Sequence, residues 1–322
     1  MGWRIDSSAL ERAREVVRRY ARETPLVPAA RLGAGAFLKL ETEQETGSFK
    51  LRGALAALDA LESEVRPRGV VTASAGNHGY GLARAGALFE TPVTVFVSRA
   101  APAVKREGIA RAGACIELVD AAGYDDVEAI ARRAAEAGGL AFVSPFDDPS
   151  VAAGNGGTLG LEILDACPDV RTIVVPVGGG GLAAGMAAAR DQRGASVELI
   201  GVQSEACPAM VESLAAGRAL TRFAARAPTL AEGLEGGVSE ATYAIARASL
   251  ARMEAVPERA IADAMRLARA ELALPLEGSA AVALAWALAH RDDPSIARPW
   301  VVVLTGRNVD PSVIDRLTAQ QG

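Results

Sequence analysis

Short apolar runs rich in β-branched residues alternate with alanine-rich stretches along most of this chain, and this alternation constrains the fold more than any other feature. Each run has the length and composition of a parallel strand that is buried on both faces. Strands that alternate with helical crossovers fold into doubly wound, mostly parallel sheets with helices on both faces, so the predicted fold class is α/β. The predicted strands are residues 70–72, 93–97, 116–119, 173–177, 198–202 and 301–304. The predicted helices are residues 77–89, 103–112, 124–137, 150–166, 182–193 and 257–273.

Charge and hydropathy exclude several classes of partner. The 322 residues carry a net charge of -5, and basic and acidic residues are interspersed, so no basic surface for nucleic acid or anionic membrane is indicated. No apolar run approaches the roughly 18 residues that a membrane helix needs. Arg4, Asp6 and Glu11 stand where a signal peptide would be apolar. We therefore expect a cytoplasmic protein that acts on a small molecule.

The cysteine and histidine residues limit the chemistry further. Three cysteines are widely spaced and form no C-x-x-C pattern, so neither a disulfide framework nor a zinc or iron–sulfur site is predicted. His78 and His290 are the only histidines, so a Ser-His-Asp triad or a multi-histidine metal site would need one of them. His290 follows an alanine-rich helix, where a cation is favourable for purely structural reasons.

A strand that runs into four glycines and then a helix is the clearest functional motif. The backbone N–H groups of Gly178 to Gly181 can point into one concavity, and the N-terminus of the next helix adds its positive dipole. The motif also matches the dinucleotide fingerprint weakly, but the next strand ends at Gln203, where a ribose-binding acid is expected. A phosphate site is favoured, while a nicotinamide site and a purely structural turn stay open.

Two further turns follow predicted strands. Ser74 to Gly79 places a hydroxyl, free backbone amides and the Asn77 carboxamide at a helix start, which suits a carboxylate and a phenolic or carbonyl oxygen. Thr305 to Asn308 ends the last strand with a hydroxyl. Because ligands of such sheets bind beyond the carboxyl ends of the strands, we expect all three turns to converge at one edge.

The strand-like run of residues 37–40 precedes a glycine turn. Lys50 follows that turn and begins a stretch of apolar residues at helical spacing. With Ser48 as the N-cap, Lys50 is the second residue of the helix. The positive end of the helix dipole and partial burial would both lower the pKa of its amine, and a neutral amine can attack a carbonyl. On this segment alone, a solvated lysine remains an alternative.

Six motifs together resemble the fold-type II family of pyridoxal-phosphate enzymes, in its threonine/serine dehydratase and serine racemase branch. They occur in the family's order and span nearly the whole chain: GSFKLRGA from Gly47, SAGNHG from Ser74, SPFDD from Ser144, VGGGGL from Val177, EGSAA from Glu277 and TGRN from Thr305. The resemblance implies two open, doubly wound, mostly parallel sheets with the cofactor, pyridoxal 5'-phosphate, in the cleft between two domains.

The resemblance also implies a role for each matching residue. Lys50 would hold the cofactor as a Schiff base and then act as the catalytic base. The phosphate would be bound by Gly178, Gly179, Gly180, Gly181 and Leu182, the phenolic oxygen by Asn77 and the pyridine nitrogen by Thr305. The substrate carboxylate would be bound by the turn made of Ser74, Ala75, Gly76, Asn77 and His78.

The implied reaction is loss of water from a β-hydroxy amino acid of the threonine/serine type, giving a 2-oxo acid and ammonium. A hydroxyl at Thr305 would leave the pyridine nitrogen largely unprotonated, which favours elimination over a long-lived carbanion. Related racemases carry a second serine where this chain has Ala75, so elimination is favoured over racemisation. A racemase or a β-replacement synthase stays open, as does a different class, a non-catalytic nucleotide-binding or sensor domain.

Departures from the family pattern bear on metal binding and specificity. Gln203 and Ala209 stand where many relatives have the acids of a divalent-cation site, so no metal is expected, although Glu205 is nearby. Ser144, Asn155 and Arg307 differ from the common residues near the expected pocket, and the segment around Asn155 has one residue more than the usual GQGT. We therefore predict a substrate other than threonine, with an extra anionic group that Arg307 pairs with. The alternative that Arg307 is a solvated arginine on a loop stays open.

The turn-rich segment 144–149 marks a domain boundary. We expect a large cofactor-binding domain of residues 1–60 and 147–322 and a small inserted α/β domain of residues 61–146. The chain ends soon after residues 310–314, so no carboxy-terminal regulatory domain is expected. Relatives in this family are commonly dimers, so a homodimer is expected as well.

Overall fold

Two mostly parallel sheets organise the protein, as the alternating pattern predicts. The computed structural model describes residues 3–121 and 123–319. Its strands are β1 Leu26–Pro28, β2 Ala36–Leu40, β3 Val70–Ala73, β4 Val93–Ser98, β5 Cys115–Val119, β6 Ala141–Phe142, β7 Thr172–Pro176, β8 Glu198–Ser204, β9 Leu250–Val256 and β10 Trp300–Leu304. All six strands predicted from the alternating pattern are present, each within one or two residues of its predicted bounds, and the strand-like run 37–40 lies within β2.

The larger sheet has the order β1-β2-β10-β7-β8-β9, and the smaller has the order β5-β4-β3-β6. Only the β1–β2 pair is antiparallel among the described strands. The parallel register brings the ends of β2, β7 and β10 to one edge of the larger sheet, since Leu304 pairs with Leu40 and Val302 pairs with Val174. That edge lies directly before the segments that contain Lys50, the four glycines and Thr305.

Helices cover both faces of each sheet. They are α1 Ser7–Tyr20, α2 Lys50–Ala60, α3 Asn77–Leu88, α4 Ala103–Arg111, α5 Tyr124–Gly138, α6 Pro149–Ala152, α7 Thr158–Ala166, α8 Gly181–Gln192, α9 Ala209–Ala216, α10 Glu240–Ser249, α11 Glu258–Glu271, α12 Gly278–Ala289 and α13 Pro311–Ala319. A π-helical turn over Ala153–Gly157 joins α6 to α7. In the part of the chain that the structure describes, no helix is long and apolar enough to cross a membrane.

Four apolar clusters hold these layers together. Helices α11 and α12 pack on one face of the larger sheet, and α7, α8 and α10 pack on the other. Helices α2 and α3 cover one face of the smaller sheet, and α5 covers the other. The strands β3, β4, β5 and β6 of the smaller sheet all lie between α2 and α6 in the sequence.

Candidate active site

Lys50 is the first residue of α2, and the residue before it, Phe49, is the N-cap. The prediction that Ser48 caps this helix is wrong. Ser48 forms an isolated antiparallel bridge with Gly306, and the Phe49 N–H donates to the Thr305 carbonyl at 3.1 Å. Because the backbone before α2 pairs with the end of β10, the Ser48 side chain is buried and its hydroxyl has no partner among the described residues.

The first turn of α2 is supported from the π-helical turn. The Asn155 side-chain oxygen accepts a hydrogen bond of 2.8 Å from the N–H of Gly53, the fourth residue of α2. Asn155 is only 2% exposed. A π-helical turn accommodates one extra residue within a helix, which matches the additional residue noted in this segment. Asn155 therefore supports the start of α2.

The Lys50 amine has no carboxylate partner among the described residues. Its Nζ donates to the Pro145 carbonyl at 2.9 Å and lies 5.1 Å from the centre of the Phe49 ring. Burial lowers the pKa of Lys50 to about 8, and the Glu277 carboxylate opposes that shift. A substantial fraction of the amine is therefore neutral near pH 8, as a nucleophile or general base requires.

The other two lysines of the chain are held by carboxylates. Lys39 is buried, and its Nζ donates to Glu162 at 2.7 Å and to the Thr24 carbonyl at 2.7 Å. Lys105 forms an ion pair with Glu232. Lys50 is thus the lysine best suited to react as a free amine.

The four-glycine turn lies between β7 and the start of α8. The N–H groups of Gly178, Gly179 and Gly180 donate to no protein acceptor within the described ranges, and the first amides of α8 follow directly. Gly180 has a φ of +95°, and a Cβ at Gly179 would overlap the Phe146 ring. The turn therefore offers a row of free donors at a helix N-terminus, which suits a phosphate group.

The 74–79 turn ends β3 and begins α3. Because β3 belongs to the smaller sheet, the prediction that all three turns lie at one edge of a single sheet is wrong; the hydrogen bond between Asn308 and Asn77 brings this turn to the end of β10 instead. The Gly76 N–H donates to the Ser74 hydroxyl at 3.1 Å. The Asn77 and His78 N–H groups belong to the first turn of α3 and lack helical acceptors. The His78 ring is buried beside the Val143 carbonyl, and burial lowers its pKa to about 3. His78 is therefore uncharged. The groups of this turn that remain to bind a carboxylate are its backbone amides and the Ser74 hydroxyl.

Asn77 connects the 74–79 turn to the end of β10. Its Nδ2 donates to both oxygens of Glu277, at 2.8 and 2.9 Å, and its Oδ1 accepts from Asn308 Nδ2 at 2.8 Å. Burial raises the pKa of Glu277 to about 7, while Asn77, Lys105 and Lys50 oppose the shift. Sequence reasoning did not select Glu277 or Asn308 as site residues. The only signal for them was that each lies within a family motif.

Thr305 lies directly after β10, next to the segment that precedes Lys50, and is 3% exposed. Its hydroxyl donates to no protein group in the described part of the chain. Arg307 forms an ion pair of 3.4 Å with Glu43, so its charge already has a partner. The Ser144 hydroxyl accepts from the Asp147 N–H at 3.0 Å and shapes the turn that carries Pro145 and Phe146.

Gln203 and Ala209 have structural roles in the observed geometry. The Gln203 side-chain oxygen accepts from the Met210 and Val211 N–H groups at 2.9 and 3.1 Å, at the start of α9. Ala209 is the first residue of that helix and is fully buried. No group of three or more His, Cys, Asp or Glu side chains suited to a metal ion occurs within residues 3–121 and 123–319.

The chain is similar in sequence to known proteins over nearly its whole length. A profile of the family described as pyridoxal-phosphate dependent enzyme matches residues 17–306. L-threonine ammonia-lyase of Thermotoga maritima is 39% identical over 94% of this chain and 75% of that protein. Serine racemase of Oryza sativa subsp. indica is 31% identical over 97% of this chain and 94% of that protein.

Solved structures show the same architecture. Maize serine racemase superposes with a TM-score of 0.89 at 30% identity, covering 99% of this chain and 98% of its own. The processed form of threonine deaminase isoform 2 from Solanum lycopersicum has a TM-score of 0.88 at 32% identity, covering 100% of this chain and 96% of its own. The two-sheet architecture therefore has counterparts across nearly the full length of both.

Proposed function

This chain belongs to the family of pyridoxal-phosphate dependent enzymes, and from that premise we propose that it is an ammonia-lyase. It eliminates water from a β-hydroxy amino acid of the threonine/serine type and releases a 2-oxo acid and ammonium. The similarity to L-threonine ammonia-lyase of Thermotoga maritima, at 39% identity over 94% of the chain, supports this reaction. The observation that carries the proposal is the partly buried Lys50 amine, which has a pKa of about 8 and no carboxylate partner within the described residues.

The residues around Lys50 fit the cofactor. The free N–H groups of Gly178, Gly179 and Gly180 suit its phosphate, and Gly181 and Leu182 add the N-terminal amides of α8. Thr305 offers a hydroxyl for the pyridine nitrogen, Asn77 offers a carboxamide for the phenolic oxygen, and Lys50 offers the amine that anchors the cofactor. Bound there, pyridoxal phosphate supplies the electron sink for negative charge at the substrate Cα.

The protein's own part of the reaction is binding and proton transfer. The Ser74 hydroxyl and the amides from Ala75 to His78 hold the substrate carboxylate at the positive end of α3. The Lys50 amine takes the proton from the substrate Cα. Because its pKa is about 8, the amine can accept this proton at neutral pH and release it again without a large penalty.

Ala75 favours elimination over racemisation. Racemisation requires a second group that returns the proton to the opposite face of Cα, and Ala75 has no proton to give. Serine racemases are among the relatives of this chain, so the distinction needs a direct test. We expect Ala75→Ser to gain measurable racemase activity while keeping most of the lyase activity.

The test is a screen of the cofactor-loaded protein with L-threonine, L-serine, their D-isomers and 3-hydroxyaspartate. We expect release of 2-oxo acid and ammonium in equal amounts, and no D-isomer from L-serine. Lys50→Ala should lose both products. Formation of D-serine without 2-oxo acid would show that the protein is a racemase.

The same screen tests the predicted anionic substrate. The Glu43 partner of Arg307 is partly exposed, so an acidic substrate could compete for the guanidinium. A clear preference for L-threonine over 3-hydroxyaspartate would contradict this part of the proposal.

We also propose the assembly and domain organisation expected from the family. Residues 1–60 and 147–322 form the larger domain and residues 61–146 the smaller, which is supported by the position of β3 to β6 in the sequence. The protein acts as a homodimer, which sedimentation analysis would test. Three cysteines without a disulfide among them support a cytoplasmic location, because free thiols persist in reducing compartments.

A further inference from the structure

The carboxylate of Glu277 lies at the N-terminus of α12 without capping that helix. No side-chain cap bond is formed by this residue, although its position before α12 would permit one. The side chain instead turns toward Asn77 and approaches Gly306, where a Cβ would lie 2.5 Å from Glu277 Oε1. Gly306 is therefore needed for the carboxylate to occupy this place.

A chain of hydrogen bonds with a fixed direction ends on Glu277. Asn308 Nδ2 donates to the Thr46 carbonyl and to Asn77 Oδ1, each at 2.8 Å, so both of its hydrogens are used. Asn77 Nδ2 donates in turn to Glu277. Rotating the Asn77 amide by 180° would set NH₂ against NH₂ and a carbonyl against a carboxylate, so only one orientation is stable.

The same carboxylate also acts on the charge of Lys50. Burial is the main reason that the pKa of Lys50 falls to about 8, and the negative charge of Glu277 limits that fall. The charged and polar groups that face Glu277 are Lys50 of α2, Asn77 of α3, Lys105 of α4 and the Asn308 backbone. Glu277 is thus connected both to the group proposed to bind the phenolic oxygen and to the amine proposed to hold the cofactor.

We propose that Glu277 is a positioning residue of the active site: its carboxylate fixes the orientation of the Asn77 amide, and its charge acts on the Lys50 amine. This inference rests on the proposed function, because it assigns Glu277 a role toward the cofactor. It predicts two separable effects, one of charge and one of orientation.

The charge effect is measured as the rate at which the visible band forms when pyridoxal phosphate is added to cofactor-free protein between pH 6 and pH 10. Only the neutral amine reacts, so the midpoint of the pH dependence follows the pKa of Lys50. Glu277→Gln removes the charge but keeps an acceptor for Asn77, and we expect its midpoint to fall by about one pH unit. Glu277→Asp should restore a midpoint near that of the wild type.

Glu45→Gln is the matched control. Glu45 lies in the loop that precedes Lys50 and pairs with Arg84 at the surface, where solvent screens its charge. We expect its midpoint to equal that of the wild type.

The orientation effect is tested by Asn308→Ala, which changes no charge. Its affinity for pyridoxal phosphate should fall about tenfold, a loss of the size expected for one hydrogen bond, while the midpoint stays unchanged.

The outcomes separate this inference from the proposed function. A wild-type protein that forms no visible band overturns the proposed function and this inference with it. A wild-type band whose midpoint is unchanged in Glu277→Gln overturns the inference alone. If Glu277→Gln does not fold, Glu277→Asp and Asn308→Ala still test the inference. Asn308→Ala changes no charge, so a midpoint that shifts in this variant would contradict the claim that the charge of Glu277 determines the midpoint.

Discussion

Arg52 and Lys50 are two residues apart in α2, and their surroundings are opposite, although Arg52 is fully buried and Lys50 partly buried. The Arg52 guanidinium donates to Glu41 at 2.8 and 2.9 Å and to Glu162 at 2.5 and 2.9 Å. Burial pulls the pKa of Arg52 down, but these carboxylates more than offset it and raise the pKa above its ordinary value. Lys50 instead meets a backbone carbonyl, and its pKa falls to about 8.

The difference shows that the partners of a buried cation, and not burial alone, decide whether it is a fixed charge or a reactive amine. Two carboxylates convert Arg52 into a permanent ion that ties α2 to α7 and to the end of β2. The absence of a paired carboxylate among the described residues leaves Lys50 able to lose its proton near neutral pH. Helix α2 thus carries a permanently charged Arg52 and, two residues before it, a Lys50 amine that can lose its proton.

The largest expected effect on the free energy of unfolding comes from removing the Arg52 guanidinium. Arg52→Met leaves the buried Glu41 without its guanidinium and removes one partner of Glu162, and uncompensated buried charges destabilise strongly. We expect the free energy of unfolding to fall by about 3–5 kcal/mol in urea titrations. The surface control Arg99→Met, which breaks an exposed ion pair with Asp120, should change it by less than about 1 kcal/mol. Equal losses in the two variants would contradict the comparison.

Removing the Lys50 amine should instead increase the free energy of unfolding at neutral pH. The pKa of Lys50 is about 8 in the folded protein and 10.5 ordinarily, so the unfolded chain binds more protons between these values and stability rises with pH across that window. The cost of burying the ammonium is fully present below about pH 8. At pH 7, Lys50→Met without cofactor should therefore be more stable than the wild type by on the order of 1–2 kcal/mol after allowance for partial hydration.

The same variant provides its own control through pH. The stability difference between Lys50→Met and the wild type should shrink as the pH rises from 8 toward 10.5, because the wild-type amine is then neutral in both states. A difference that is independent of pH would mean that packing, and not charge, is responsible.

A smaller effect is expected from the support of α2 on its other side. Asn155→Ala removes the acceptor of the Gly53 N–H and should cost about 1 kcal/mol, the usual loss for one hydrogen bond. Asn155→Asp keeps an oxygen at the same place but buries a negative charge, so it should recover stability only as the pH falls and its carboxyl group becomes protonated. Thermal unfolding of the two variants distinguishes a lost hydrogen bond from a change of volume, since Asn155→Asp changes the volume very little.

The parts of the site that sequence reasoning found are those encoded locally. The four glycines after β7 and the 74–79 turn are contiguous segments whose backbone chemistry follows from their own residues. Strand β9 was missed because Arg252 and Glu254 interrupt its apolar pattern at the edge of the larger sheet. Local patterns therefore predicted the central strands and the turns, but not the sheet edge.

The parts that sequence reasoning missed depend on residues far apart in the chain. Ser48 was expected to cap α2, but its backbone pairs with Gly306, and the side chain that bonds to the first turn of α2 is Asn155, 102 residues from Gly53. Glu277 reaches Asn77 across 200 residues. Such pairings depend on how the two sheets and their helices pack against one another, and no local pattern of one sequence reveals which side chains this packing brings together.

Lys50 is proposed to be the one lysine that holds the cofactor, and because the chain has three lysines the point of attachment can be identified chemically. The cofactor-loaded protein is reduced with borohydride, digested and analysed by mass spectrometry. We expect the phosphopyridoxyl mass on the peptide that contains Lys50, with Lys39 and Lys105 unmodified. A label on Lys39 or Lys105, or no label on any of the three, would contradict the proposal.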